Sequence, residues 1–227
     1  LKFSNEGNDV TIICDQKVLR IDFNGPLADT KEATRRALEI VTGLTIPKEQ
    51  FVGSKSEILN RRNTFFTLRK SSERKKARAL TEKDWLHAKS YIYDQGNFVT
   101  HVKPRKGIVE LLQRLAREGW EIHIVTSCRG MTNNRLWRWV TFYNIPIVSA
   151  TRSKDKFPHY SQGGVVLDDE LQHLLPVLDL ESVVPILLFD PDKHSPVARK
   201  TISHLSGQNR LRTVASLPEV IGLLLAA

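Results

Sequence analysis

From residue 104 onward the chain alternates apolar, strand-like runs with helical patterns, and this alternation limits the fold more than any other feature. Pro104 and Gly107 precede the helical pattern IVELLQRLAREG. WEIHIVTS then reads as a strand, and TNNRLWRWVTFYN as a helix that offers Leu136, Trp137, Val140 and Phe142 or Tyr143 to a core. GVVLDD, VVPILLFD and RTVAS read as further strands, and LPEVIGLLL as a closing helix. Runs this continuous leave no wet face, so they belong to a parallel sheet covered on both sides. Gly119 is the turn expected between a helix and the next strand. Upstream, VTIIC and KVLRIDFNG read as extended segments. ADTKEATRRALEIVTG reads as a helix, capped by Asp29 with Glu32 three positions on and stopped at Gly43. The expected fold is α/β, a three-layer, doubly wound parallel sheet.

A chain of 227 residues suits one such domain carrying a large insertion better than two full domains. Residues 1–30 and 101–227 supply the sheet, and residues 31–100 read as a helical, basic insertion after the first strand, with Thr81 and Asp84 opening one of its helices. The formal charge is +9, and residues 61–90 hold ten basic residues against three acidic ones. A field of that kind attracts RNA, a phosphorylated ligand or an acidic protein surface. No run approaches the roughly 18 apolar residues a membrane span needs, so no membrane partner is expected. Cys14 and Cys128 are too few for a disulfide framework and read as small buried hydrophobes, which favours an intracellular compartment, cytoplasm or organellar matrix. The chain begins at Leu1 and not Met, which suggests processing or trimming. The seven histidines show no metal spacing, and His123 reads as an internal residue of its strand. Trp85, Trp120, Trp137 and Trp139 sit at spacings that suit core packing. No glycine-rich nucleotide loop, zinc finger or repeat is present.

In an open parallel sheet ligands bind outside the carboxyl ends of the strands, so the polar residues ending each strand are the candidate site. KVLRI ends in Asp22 and Asn24, EIHIV in Thr126 and Ser127, VVL in Asp168, Asp169 and Glu170, and ILLF in Asp190. Lys154 and Lys156 lie in the polar stretch TRSKDKFPHY between two of these strands. Carboxylates gathered at one sheet edge repel unless a hard cation or a lysine joins them. Magnesium answers that demand, held by Asp22, a backbone carbonyl and Asp168 or Asp169, with positions left for water and a phosphate oxygen. Thr126 or Ser127, backed by the amides of the following helix start, suits a phosphate as hydrogen-bond donor.

These residues resemble the motifs of the haloacid dehalogenase-like (HAD) phosphohydrolases. IDFNGPLADT resembles the first motif, EIHIVTS the second, a lysine of SKDKFPHY the third and VVLDDE the fourth, and the insertion lies where that superfamily places its smaller cap. The ending PILLFDPDKHS is similar to the 5'-nucleotidase branch that includes the deoxyribonucleotidases. The resemblance implies a magnesium-dependent phosphomonoesterase acting on nucleotides. Asp22 would form an aspartyl-phosphate, and the metal would be held by Asp22, the Asn24 carbonyl and Asp168 or Asp169. Thr126 would hold the phosphoryl group and Lys156, with Lys154 as competitor, would steady its charge. Asn24 departs from the pattern, because the family normally has there a second aspartate that protonates the leaving oxygen and later activates water. Pro26, usually threonine or valine, is a lesser departure. Asn24 is then an engineered trap, a natural change in a slow enzyme, or the mark of an inactive domain serving an RNA- or protein-rich assembly through residues 61–90.

Overall fold

The computed structural model describes residues 2–6, 9–13, 16–52, 55–60, 66–68, 77–93, 97–128, 130–191 and 194–225. In chain order the strands are β1 (Lys2–Glu6), β2 (Asp9–Ile13), β3 (Val18–Asp22), β4 (Leu44–Thr45), β5 (Phe66–Leu68), β6 (Ala77–Arg78), β7 (Glu121–Thr126), β8 (Ser149–Arg152), β9 (Gly164–Asp168), β10 (Val183–Leu188) and β11 (Arg212–Val214). The helices are α1 (Thr30–Thr42), α2 (Lys55–Asn60), α3 (Glu82–Tyr93), α4 (Asn97–His101), α5 (Ile108–Arg117), α6 (Asn133–Phe142), α7 (Phe157–Tyr160), α8 (Leu171–Leu174), α9 (Pro196–Gly207) and α10 (Leu217–Leu225). The chain divides into two compact units, residues 1–28 with 104–227, and residues 29–103.

The larger unit is built on a six-stranded sheet of order β11-β10-β9-β3-β7-β8, parallel throughout. From β3 the chain winds outward through β7 and β8, then returns to the other side of β3 as β9 and winds outward again. This is the doubly wound arrangement expected from the alternation, and the winding reverses between β3 and β9. Strand interiors are apolar on both faces: β9 and β10 are buried at every position. One face is covered where Val125, Val166, Val183 and Leu187 meet Tyr160, Leu171, Leu174, Ile202 and Leu205 from α7, α8 and α9. Val165 and Leu167 alternate to the opposite face. Pro185 inside β10 is tolerated because β11 pairs only from Ile186 onward, so the missing N–H leaves that ladder intact.

Three readings of this unit need correction. In α6 the buried residues are Leu136, Trp139 and Val140, whereas Trp137 is 42% and Phe142 64% exposed. The apolar stripe follows 136, 139, 140 and 143, so Leu136 and Val140 lie where expected, while Trp139 takes the place expected of Trp137 and Tyr143 that of Phe142. β8 was not among the expected strands, and its last two residues open the polar stretch TRSKDKFPHY: SATR is polar, which an edge strand with one paired side permits. Cys128 is half-buried, not a core residue, and Cys14 lies outside the described residues.

The smaller unit is helical, with α1 packed on α3, and it also carries a three-stranded antiparallel sheet, β4-β5-β6, that the insertion's helical composition hid. The Asp29 carboxylate caps α1 by accepting the Glu32 N–H at 3.0 Å, while the Glu32 side chain turns to Arg35 and Arg36. At α3, Thr81 and Asp84 form a reciprocal box: the Thr81 N–H donates to Asp84 at 2.9 Å and the Asp84 N–H to the Thr81 hydroxyl at 3.2 Å. Most of the basic run, Arg61, Arg62, Arg69, Lys70, Arg74, Lys75 and Lys76, lies outside the described residues, and Arg78 is paired with Asp84. Among the described residues no helix is long and apolar enough to cross a membrane.

Candidate active site at the strand ends

β3 delivers Asp22 to the carboxyl edge of the sheet and then turns sharply. The Ala28 N–H donates to the Phe23 carbonyl at 2.9 Å and the Gly25 N–H to the Ala28 carbonyl at 3.1 Å, while the Arg105 guanidinium donates to the Gly25 carbonyl. Asn24 is half-buried in this turn. Gly25 has φ +95°, and a Cβ placed on it would lie 1.9 Å from Asp169 Oδ2. The absent side chain is therefore what admits the Asp169 carboxylate to the loop.

The neighbouring strands complete the cluster. Thr126 ends β7 fully buried, and its hydroxyl accepts the Cys128 N–H at 3.2 Å, which leaves its own proton to donate elsewhere. Ser127 beside it is half-buried. Lys156 heads the short helix α7 and is 2% exposed. Its ammonium lies 2.8 Å from both Asp22 Oδ1 and Asp168 Oδ2. Lys154 is exposed and takes no part in this cluster. Asp22, Asp168 and Asp169 are all buried, and each offers a carboxylate oxygen within 4.8 Å of the others. Asp190 ends β10 half-buried, apart from this carboxylate set.

The two adjacent aspartates are not equivalent. Asp168 accepts from Lys156 Nζ and the Tyr160 hydroxyl, both at 2.8 Å, and from the Glu170 N–H at 2.9 Å, with His173 Nδ1 3.1 Å from its Oδ2. Lys156, Tyr160 and His173 thus gather on Oδ2, while Oδ1 takes the Glu170 N–H. His173 Nδ1 also lies 3.2 Å from Lys156 Nζ: protonated it donates to Asp168, and unprotonated it accepts from the ammonium. Tyr160 and His173 were not recognised in the sequence. The signal for Tyr160 is its spacing four residues after Lys156, one helical turn away.

Electrostatics divides the set further. Burial, then the neighbouring Asp168, pushes the Asp22 carboxyl up to about 8 against the pull of Lys156. Burial would raise Asp168 as well, but the His173 hydrogen bond and the Lys156 charge outweigh it and hold that carboxyl below its usual range. Burial alone would lower Lys156, but Asp22 and Asp168 outweigh it and hold the ammonium above its usual range. One ammonium faces three carboxylates, and Asp22 Oδ1 is buried without an aligned hydrogen-bond donor even though Lys156 is at ion-pair distance. A divalent cation with oxygen ligands fits this surplus of negative charge.

The fold places the chain among known structures. It is similar to a HAD-superfamily hydrolase from Ehrlichia chaffeensis (10% identity over 94% of this chain and 98% of that one, TM-score 0.50). It is also similar to a candidate phosphatase from Clostridium difficile (13%, 92% and 100%, TM-score 0.55) and to a predicted phosphatase from Clostridium acetobutylicum (16%, 92% and 98%, TM-score 0.51). No protein-family model matches the chain, and no curated protein sequence matches it. At these identities the likeness is one of architecture: the chain has the Rossmann-like α/β fold of the HAD-superfamily hydrolases, with a segment inserted after the first strand of the parallel sheet.

Proposed function

We propose that the chain is a phosphomonoesterase that works through an aspartyl-phosphate on Asp22 and depends on magnesium. One observation carries the reading: Asp22, Thr126, Lys156, Asp168 and Asp169 converge, buried, at the point where the winding of the sheet reverses. Asp22, the Asn24 carbonyl and Asp169 would hold the cation, with Asp168 the carboxylate engaged by Lys156, Tyr160 and the Glu170 N–H. When bound, the cation would supply positive charge opposite a phosphoryl oxygen.

The remaining chemistry belongs to the chain. An Asp22 carboxylate oxygen attacks phosphorus, the bond to the ester oxygen breaks, and that oxygen leaves with the electron pair. Thr126 and Lys156 hold the phosphoryl oxygens and offset their charge, and Asp168 keeps Lys156 directed at Asp22. The leaving oxygen needs a proton, which the Asn24 amide does not release near neutral pH, and the same amide cannot activate water in the second step. General acid and base assistance contributes roughly 10²–10⁴ in rate, so turnover is slow with asparagine at this position.

The test is phosphate release from a panel of nucleoside monophosphates and sugar phosphates with magnesium present. The panel begins with nucleotides because of the nucleotidase-like PILLFDPDKHS segment. Asn24→Asp should raise the rate at least about tenfold, and adding Asp22→Asn should abolish the gain. Silence of Asn24→Asp across the panel would reject the reading in favour of an inactive, assembly-bound domain.

A further inference from the structure

Beside the carboxylates, on the β8 side of the sheet, lie two arginines that the proposed chemistry does not use. Arg152 closes β8 in register with Thr126. With strands about 4.8 Å apart, it stands one strand from Thr126 and two strands, about 10 Å, from Asp22. It is tied to the loop after Thr126 and to the start of α6: its Nε donates to the Cys128 carbonyl at 3.0 Å, and its backbone N–H to Asn133 Oδ1 at 2.8 Å. Arg135 is tied to the same loop, with Nη1 donating to the Gly130 carbonyl at 2.9 Å.

The partners of these two side chains set them apart from the acid-paired arginines of the chain, and unlike Arg105, which is tied to the Gly25 carbonyl of the turn after β3, they flank the β7 end. Arg35 and Arg36 are paired with Glu32, Arg78 with Asp84 and Arg210 with Asp179. Arg135 and Arg152 instead meet only carbonyl oxygens among the described residues, which fix a guanidinium without neutralising it. A guanidinium has five N–H groups, so Arg152 keeps both Nη groups unspent. The acid nearest in sequence, Asp155, is exposed and accepts from the Phe157 N–H at 3.0 Å. The result is a pair of fixed, half-buried, uncompensated cations flanking the loop that carries Thr126, suited to bidentate recognition of a phosphate or carboxylate.

We propose that Arg152, assisted by Arg135, binds a second anionic group of the substrate, so that the chain prefers phosphomonoesters carrying a further phosphate or a carboxylate. The proposal rests on the phosphoryl-transfer reading above and narrows its substrate class. Two strand spacings from Asp22 exceed the span of one phosphoryl group, which makes the arginines a separate subsite.

The experiment measures dissociation constants by calorimetry on the full chain with magnesium, using two matched pairs. Glycerol 3-phosphate against 3-phosphoglycerate adds a carboxylate, and fructose 6-phosphate against fructose 1,6-bisphosphate adds a phosphate. In at least one pair the ligand with two anionic groups should bind at least tenfold more tightly. Arg152→Gln should bring that ratio to within about twofold without weakening the one-anion partner. Arg135→Gln, which spares the Arg152 anchor on Cys128, should lower the ratio in the same direction, and melting temperatures establish that each variant is folded. No preference in the unaltered chain, a preference that survives both substitutions, or an equal loss for one- and two-anion ligands would overturn the proposal. The last result would put Arg152 on the reacting phosphoryl group. Failure of the parent reading has a different signature: magnesium removal and Asp169→Asn would leave every constant unchanged.

Discussion

Gly25→Ala tests whether the turn after β3 and the Asp169 carboxylate form one device. A Cβ at residue 25 would lie 1.9 Å from Asp169 Oδ2 and 2.4 Å from its Cγ, whereas ordinary contact begins at 3.4 Å, so the carboxylate would have to retreat by about 1.5 Å. The backbone at φ +95° adds strain of about 1–2 kcal/mol for any residue with a Cβ. Displacing a buried group from a packed site adds about 1–3 kcal/mol. The expected loss is therefore about 2–5 kcal/mol, or a melting temperature lower by about 5–15 °C in a chain of this size. Gly107→Ala is the internal control, because Gly107 has φ +81° with no atom within 4 Å of the added carbon, so it suffers the strain alone. Urea unfolding of both variants isolates the collision as the difference between them. Magnesium calorimetry on the same samples should show at least a tenfold loss of affinity for Gly25→Ala and none for Gly107→Ala. Equal stability losses, with magnesium affinity unchanged in both, would refute the coupling of this glycine to Asp169.

The adjacent aspartates should separate under substitution. Asp169→Asn should lower magnesium affinity at least tenfold with little loss of stability, whereas Asp168→Asn should destabilise the fold by about 3–5 kcal/mol by leaving Lys156 with a missing buried partner. Calorimetry and urea melts check both, and the reverse pattern would reassign the two residues. Lys156→Met removes the one ammonium between Asp22 and Asp168 and should also cost about 3–5 kcal/mol, with added magnesium recovering part of the loss; an unaltered melt would contradict the ion-pair geometry. Stability of the cation-free chain should decline as pH rises from about 4 to about 8. In that window folded Asp22 keeps a proton, being raised to about 8, that the unfolded chain has lost near its ordinary value of about 3.9. The Asp22 contribution is complete below pH 4 and gone above 8, so thermal melts of the chain and of Asp22→Asn should differ in slope across that interval. Identical slopes would remove Asp22 as the source.

Legibility in the sequence followed the strength of the local signal. The sheet was readable because its strands are buried on both faces and therefore appear as unbroken apolar runs: every position of β9 and β10 is buried. β8 was hidden by the same rule, since an edge strand can be as polar as Ser149–Arg152. The small β4-β5-β6 sheet was hidden because two of its strands are two residues long, too short for any period to register. In α6, Leu136 and Val140 are buried as expected, but Trp137 was taken for a core residue because tryptophans stand at both 137 and 139, and hydrophobicity alone does not say which of them faces inward. Asp22 and Thr126 were candidates because position at a strand end is a topological property that an alternating sequence reveals, whereas Lys156 came from the resemblance, with Lys154 as its competitor. Tyr160 and His173 were not, because contact with Asp168 depends on how two short helices, α7 and α8, settle on the sheet.

The division of labour between Asp168 and Asp169 was left open in the sequence, yet strand alternation accounts for it. Side chains two apart on a strand share a face, so Asp168 points to the side of β9 occupied by Val166. Val166 belongs to the cluster that includes Tyr160 and Leu171, from the helices that also supply the Tyr160 hydroxyl and His173 to Asp168. Asp169, one residue on, leaves that face and approaches Gly25. The two carboxylates are thus set apart by parity: a residue inserted into β9 before Asp168 would carry that carboxylate to the Gly25 side and leave the Lys156 side to the inserted residue, with no acid there to hold the ammonium.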